Sequence, residues 1–115
     1  MHITSLDQIE KTVPEMPGAK AVCKQVPLSR EHGAPTFSFR VFTIEPGGHT
    51  PLHRHPYEHM NYVITGQGIL VSEDGELSVR EGDFALVLPG ENHQYRNSSS
   101  GRDLVMICAV PIEHE

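Results

Sequence analysis

Four of the eight histidines in this 115-residue sequence fall between residues 49 and 59. His53 and His55 are two residues apart, and a β-strand points alternate side chains to the same side, so both imidazoles would project in one direction. His59 opens the next apolar run after a Pro-containing turn, where a neighbouring strand could bring it beside them. Three imidazoles this close would repel on protonation unless a cation kept them neutral. The cluster therefore predicts a metal site.

The other histidines show no such clustering. A lone histidine is more often a surface or hydrogen-bonded core residue than a ligand, and we interpret His2, His32 and His114 in that way. His49 has the parity of the first two ligands but lies beside a Pro-Gly-Gly corner, so we expect it at the rim of the pocket at most. His93 follows a Pro-Gly turn and is the candidate fourth ligand.

The composition is that of a soluble globular protein with one domain over residues 1–115. The formal net charge is -6, and the nine Lys and Arg residues are scattered, which argues against a nucleic-acid partner. The apolar runs are too short to cross a membrane and no targeting signal is recognisable, so a cytoplasmic location is expected. Cys23 and Cys108 are too few for a disulfide framework and are expected to be reduced.

The strongest strand pattern covers residues 36–45, which are rich in aromatic and β-branched side chains. The Pro-Gly-Gly sequence that follows is predicted to end this strand. One face carries Phe37, Phe39 and Val41, and the opposite face carries Phe42 and Ile44. Because both faces are apolar, we expect a second sheet on one side and a second subunit, forming a homodimer, on the other.

The rest of the sequence predicts an all-β fold. Residues 1–20 contain only two turns of helix-forming sequence before prolines intervene, so they form a short irregular arm. Short strand patterns separated by turn signals are typical of a sandwich or barrel, and the jelly roll closes in the fewest residues. The predicted strands are 19–27, 36–45, 52–55, 59–65, 69–72, 76–80, 84–88, 93–97 and 104–110.

Two glycine-bounded motifs resemble those of small single-domain cupins. Motif 1 covers residues 47–66, where Gly47, His53, His55 and Gly66 have the spacing of the family. The family usually has a glutamate ligand where this chain has His59. Glu58 is the adjacent residue and should point away from His59, so the ligand role of the family's glutamate is not transferred to it.

Motif 2 covers residues 82–97, and its Gly82, His93 and Asn97 keep the family spacing. Pro89 falls one residue late and Glu91 replaces a glycine, so the turn before the ligand is altered. The resemblance implies a double-stranded β-helix, or jelly-roll barrel, that binds one divalent transition metal such as Mn, Fe, Cu, Ni or Zn. It also implies a homodimer.

A four-histidine site of His53, His55, His59 and His93 would leave the ion with its full positive charge, because no ligand is a carboxylate. Such a site attracts anionic small molecules and acidifies bound water. We therefore expect a metal-dependent oxidoreductase of the dioxygenase type, acting on a small oxygenated organic substrate. The alternatives are a metal-dependent binding or sensing module, and a metal-assisted isomerase or lyase.

Several side chains besides the ligands are candidates for catalytic roles. Asn61 and Tyr95 have the parity of ligands on their strands and could bind substrate, although Asn61 could equally be a satisfied inward polar group. Cys108 is expected to be a small buried residue, with oxidation beside the metal as the alternative. Glu58 could be a base in isomerase or lyase chemistry, as could Tyr95 or His49.

Overall fold

The computed structural model describes all 115 residues, which form eight β-strands and three short 3-10 turns. The strands are β1 (Lys20–Leu28), β2 (Phe37–His49), β3 (His59–Thr65), β4 (Gln67–Ser72), β5 (Gly75–Arg80), β6 (Phe84–Val87), β7 (Gln94–Arg96) and β8 (Leu104–Pro111). The 3-10 turns are Leu6–Gln8, Arg30–His32 and Ile112–His114. None of these turns, and no other helix, is long and apolar enough to cross a membrane.

All strand pairs are antiparallel, in the order β5-β4-β7-β2-β8-β3-β6. The strand β1 lies outside this order and also pairs with β2. The sheet is strongly curled, so side chains from distant strands meet on its concave side. This agrees with the predicted all-β jelly-roll class. The centre of the core consists of five residues with at most 1% exposure: Ile44, Val63, Leu104, Met106 and Val110.

The strand β3 has the bounds that the sequence predicted, His59–Thr65. Two other predictions were wrong. The strand β2 does not end before the Pro-Gly-Gly sequence but continues to His49, because a bulge between Ile44 and His49 absorbs the extra residues while pairing with β1 resumes. Residues 52–55 form no strand; only an isolated bridge joins His53 to His93.

The N-terminal arm is irregular, as predicted, apart from the single turn at Leu6–Gln8. The buried amide of Gln25 on β1 fixes the arm in place. Its Nε2 donates hydrogen bonds of 2.8 Å to the carbonyl oxygens of both Leu6 and Ile9. The carbonyl of Leu6 also accepts from the N–H of Ile9 within the turn, and the Gln25 amide adds a bond to it and pairs the carbonyl of Ile9, so the arm is fastened to the sheet.

The convex side of β2, β8, β3 and β6 is apolar and open in the single chain. Its exposed side chains include Phe37 at 51%, Phe39 at 41%, Met60 at 46% and Phe84 at 81%. The concave face of β2, with Phe42 and Ile44, is covered by the chain itself; on the convex face Val41 is buried at 4% exposure, whereas Phe37 and Phe39 are exposed. The predicted two-faced character of this strand is therefore present, and its outer face forms an apolar groove of about 520 Å³.

Candidate metal centre

Two loops that follow different strands carry three of the predicted ligands, and backbone hydrogen bonds join these loops. The N–H of His53 donates to the carbonyl of His93 at 3.1 Å, and the N–H of His93 donates back to His53 at 2.9 Å. The carbonyl of His55 accepts from Gly90 at 2.8 Å. Main-chain pairing therefore sets the distance between the two motifs and leaves the imidazoles free.

The side chains of His53, His55 and His93 converge, with candidate ligand nitrogens within 4.8 Å of one another. Their ring centroids are 5.2, 4.9 and 4.9 Å apart. Three protein ligands with open positions are typical of catalytic rather than purely structural transition-metal sites. This part of the predicted ligand set is brought together as the sequence indicated.

Backbone carbonyls fix the tautomer of two of these rings. The Nδ1 of His55 lies 2.8 Å from the carbonyl oxygen of Tyr57, and the Nδ1 of His93 lies 2.9 Å from that of Glu91. A carbonyl can only accept, so each Nδ1 carries the proton and each Nε2 keeps a lone pair. The Nε2 of His55 is buried without any hydrogen-bond partner. A lone pair oriented in this way is what a metal ion requires, so the residues fit a bound cation.

The electrostatic environment also keeps the rings neutral. Burial, with repulsion from neighbouring histidines, lowers the pKa of His53, and burial lowers the pKa of His55 despite its hydrogen bond to the backbone. The pKa of His59 falls to about 2, because of burial first and the positive charge of Arg40 second. Neutral imidazole is the form that binds a metal.

The structure places His59 on the same cavity wall, but it is not among the three histidines whose ligand nitrogens all lie within 4.8 Å of one another. Its ring centroid is 4.1 Å from that of His55 and 5.6 Å from that of His93. Its Nε2 faces the Nη2 of Arg40 at 3.5 Å. A fourth coordination bond would need this ring to exchange its Arg40 neighbour for the ion. His59 as the fourth ligand therefore stays a prediction.

The cavity around these rings has a volume of about 170 Å³. A cavity of roughly 150 Å³ is enough for a benzene ring, so the space suits a molecule with one ring. No Asp or Glu lies on its wall. The lining residues are Met16, Arg40, Phe42, Thr50, His53, His55, Tyr57, His59, Asn61, His93, Tyr95, Met106 and Cys108.

Asn61 and Tyr95 both line the cavity, as their parity predicted, and they bond to each other. The hydroxyl of Tyr95 donates to the Oδ1 of Asn61 at 2.9 Å, and the Nδ2 of Asn61 donates to the carbonyl of Ile107 at 3.3 Å. Burial raises the pKa of Tyr95 well above its usual value. Both groups are thus paired and neutral, which favours a role in shaping the cavity; their assignment to catalysis stays a prediction.

Cys108 also lines the cavity, and its partner is a residue that the sequence reasoning missed. The Nη2 of Arg40 lies 2.9 Å from the Sγ of Cys108. Burial raises the pKa of this thiol, although the charge of Arg40 acts in the opposite direction. Arg40 could have been found from its position, because it alternates with the inward-facing Phe42 on β2.

Two other candidates lie outside the cavity wall. Glu58 is half-buried but does not line the cavity, as expected from its position next to His59. His49 is also absent from the wall, and its Nδ1 lies 3.1 Å from the carbonyl of Thr50 and 3.5 Å from the Nε2 of Gln94. Neither residue is placed to act as a base in the cavity.

One side of the cavity is closed by a stack of three rings from distant parts of the chain. Tyr57 lies between His55, with ring centroids 4.2 Å apart, and His114, with centroids 3.8 Å apart. His114 belongs to the last 3-10 turn. Its interpretation as an ordinary surface residue therefore overlooked this packing role, which no local sequence signal indicates.

The metal-free protein should lose stability as the pH falls below about 6.5, the ordinary pKa of histidine. The folded-state pKa of His59 is about 2, so below pH 6.5 the unfolded chain takes up a proton that the folded protein excludes. This single group should contribute a slope of about 1.4 kcal/mol per pH unit to the free energy of unfolding. Urea titrations at several pH values would give the pH dependence of the free energy of unfolding. In His59→Asn this dependence should correspond to one proton fewer than in wild type; equal pH dependence in the two proteins would contradict the prediction.

Comparison with known proteins agrees with this architecture. Residues 40–110 match the family model described as Cupin domain. Gentisate 1,2 dioxygenase 1 from Aquipseudomonas alcaligenes is 35% identical over 72 residues, which cover 56% of this chain and 21% of that protein. This chain thus spans about a fifth of the length of that relative.

Solved structures share the fold across nearly the whole chain. The polyketide cyclase RemF from Streptomyces resistomycificus matches with a TM-score of 0.92 at 26% identity, covering 97% of this chain and 80% of that chain. A predicted oxalate decarboxylase from Thermotoga maritima matches with a TM-score of 0.84 at 22% identity, covering 96% and 99%. The second likeness shows the fold alone. Since the family model matches more than half of its residues, the chain belongs to the cupin family.

Proposed function

We propose that the protein is a metal-dependent oxygenase that incorporates oxygen from O₂ into a small oxygenated organic molecule. The observation that carries this proposal is the cluster of His53, His55 and His93, whose ligand nitrogens lie within 4.8 Å of one another beside a cavity of about 170 Å³. A redox-active divalent ion bound there would polarise a substrate oxygen and exchange electrons with O₂. The protein holds the ligands and shapes the cavity.

The character of the cavity wall supports oxidative rather than acid-base chemistry. No carboxylate lines the cavity, and of its two phenols that of Tyr95 is hydrogen-bonded to Asn61 with a raised pKa, while the ring of Tyr57 is stacked between His55 and His114. An isomerase or lyase needs a group that takes a proton near neutral pH. The chain offers no such group there besides the histidines that the metal would use. Similarity to a gentisate dioxygenase over part of its length supports the same reaction class.

Oxygen uptake tests the proposal. Protein purified without an affinity tag would be analysed for metals, stripped, and reloaded separately with Fe²⁺, Mn²⁺, Ni²⁺, Cu²⁺ or Zn²⁺. Each form would be offered 2,5-dihydroxybenzoate, catechol, 2-hydroxybenzoate and a 1,3-diketone. We expect substrate-dependent oxygen consumption with a redox-active ion and none with Zn²⁺. Absence of oxygen consumption with every ion and substrate would overturn the oxygenase proposal and favour the binding or sensing alternative.

A second candidate function is metal-assisted cyclisation or isomerisation without oxygen. It is favoured by the 26% identity to a polyketide cyclase across 97% of this chain. The same panel separates the two candidates when it is repeated under nitrogen, with a linear poly-β-ketone as an added substrate. Turnover that continues without O₂ and with Zn²⁺ would assign this second function, since Zn²⁺ has no redox chemistry.

We also propose that the apolar groove on the convex side joins two copies of the chain in a homodimer. Its wall combines Phe37, Phe39, Met60 and Phe84 with no charged residue. Apolar surface of this kind is costly to leave in water. Sedimentation of wild type and Phe84→Asp should show a dimer and a monomer, respectively. Leu77→Asp, a matched control at an exposed residue of β5, should stay dimeric; a wild-type monomer at all concentrations would contradict the assembly.

A further inference from the structure

The side chain of Arg40 is a buried cation on the wall of the metal cavity. It projects from β2, is only 7% exposed, and lies between the candidate ligand His59 and the thiol of Cys108. Its guanidinium has five N–H donors. The Nη2 contacts the Sγ of Cys108 at 2.9 Å and lies 3.5 Å from His59, the Nε is buried without any partner, and the Nη1 makes no hydrogen bond. Most of its donor capacity is therefore unused.

No acidic residue compensates the charge of Arg40. The cavity wall contains no carboxylate, and the two ion pairs of the protein, Arg54–Glu73 and Arg96–Glu76, involve exposed side chains elsewhere. A thiol is a weak acceptor. The guanidinium also lies 5.1 Å from the ring centroid of Phe42, but a cation–π contact uses the face of the group and leaves its N–H edges unsatisfied.

A buried, unpaired charge is normally avoided in folded proteins. Packing alone does not account for it, because a Leu or Met would fill the same space beside Phe42 and Met106 without desolvating a cation. The unpaired Nε and the position of the group on the cavity wall indicate that the missing partner enters with the ligand. Guanidinium edges match planar carboxylates, which they hold through two parallel hydrogen bonds.

We propose that Arg40 is the anion-binding residue of this cavity and that the ligand is a one-ring or similarly small carboxylate. In this arrangement the carboxylate lies against Arg40, and a second oxygen of the same molecule reaches toward His53, His55 and His93. The volume of about 170 Å³ accommodates a ligand of this size. The inference deepens the proposed function by naming a substrate class, and it rests on that function for the reaction that follows binding.

Binding of a carboxylate and its neutral analogue tests the proposal without turnover. Calorimetry near neutral pH would compare benzoate with benzamide, on both the metal-free protein and the redox-inert Zn²⁺ form. Wild type should bind benzoate at least tenfold more tightly than benzamide in both forms. Arg40→Gln should abolish this preference and Arg40→Lys should keep part of it. Arg54→Gln removes an exposed arginine that lies between His53 and His55 in the sequence, and it should leave the preference for benzoate unchanged.

Equal affinity of wild type for the two probes would overturn the proposal, as would a full benzoate preference in a folded Arg40→Gln protein. The wild-type comparison needs no variant, so the proposal stays testable even where Arg40→Gln fails to fold. Failure of the oxygenase function is separate. A protein that prefers benzoate through Arg40 but consumes no oxygen would support the anion site and overturn the oxygenase function. A protein that consumes oxygen but shows no preference for benzoate would support the oxygenase function and overturn the anion site.

Discussion

Replacing His93 by alanine is expected to weaken Zn²⁺ binding by at least about a thousandfold, equivalent to about 4 kcal/mol. His93 is the most buried of the three clustered histidines, at 4% exposure, and its Nδ1 proton is held by the carbonyl of Glu91. Its bridge to His53 uses only backbone atoms, so alanine should keep the two loops paired while removing the ligand and its bond to Glu91. Competition with a chelating dye would measure the affinities of wild type and variant.

His49→Ala is the matched control for this measurement. His49 lies in the same histidine-rich segment but outside the cavity wall, and its removal should leave the Zn²⁺ affinity within a factor of two to three. His59→Ala decides the fourth ligand: a loss of about tenfold or more would assign it to the metal. An unchanged affinity would leave three ligands. An unchanged affinity in His93→Ala would contradict the metal centre itself.

Replacing Gly66 by alanine is expected to destabilise the protein by about 3–5 kcal/mol, much of the roughly 5–15 kcal/mol available to a domain of this kind. Gly66 joins β3 to β4 with a φ of +89°, which side-chain-bearing residues rarely adopt. A Cβ there would overlap the carbonyl oxygen of Asp103 and lie 3.0 Å from the Cα of Leu104. Both are backbone atoms at the start of β8, so relief would require the strand to move.

Gly82→Ala separates the two causes of this penalty. Gly82 has a similar φ of +92°, but nothing lies within 4 Å of its Cβ position. Its substitution should therefore cost only about 1 kcal/mol, from backbone strain alone. Urea unfolding midpoints of both variants would be compared with wild type. Equal losses in the two variants would show that the crowding beside Asp103 carries no weight.

The fold and the ligand cluster could be predicted because their signals are local. The strand β3 is a short apolar run that follows a Pro-containing turn and ends before Gly66, so its bounds were right to the residue. The pair His53 and His55 needs only one residue between its members to share a direction. His93 could be placed by its glycine-bounded motif. The wrong expectation of a strand over residues 52–55 still gave the right orientation, because the isolated bridge to His93 has extended geometry at that point.

The rest depends on contacts between distant residues. Arg40 shares the inward face of β2 with Phe42, but its significance comes from the absence of a carboxylate on strands that meet only after the sheet curls, which parity alone does not show. The stacking of His114 on Tyr57 joins residues 57 positions apart. The position of the His59 Nε2 beside Arg40, rather than among the other ligand nitrogens, depends on side-chain direction within a strand whose bounds were predicted, and no periodicity specifies it.

The reciprocal main-chain pairing of His53 with His93 has a consequence for how the cell loads this protein. Zinc fingers fold only when their ion arrives, whereas here two ligand-bearing loops are already fastened together without it. An empty barrel should therefore persist, release its ion and accept another without unfolding. The identity of the bound ion would then depend more on the supply of competing metal ions than on which ion was present during folding.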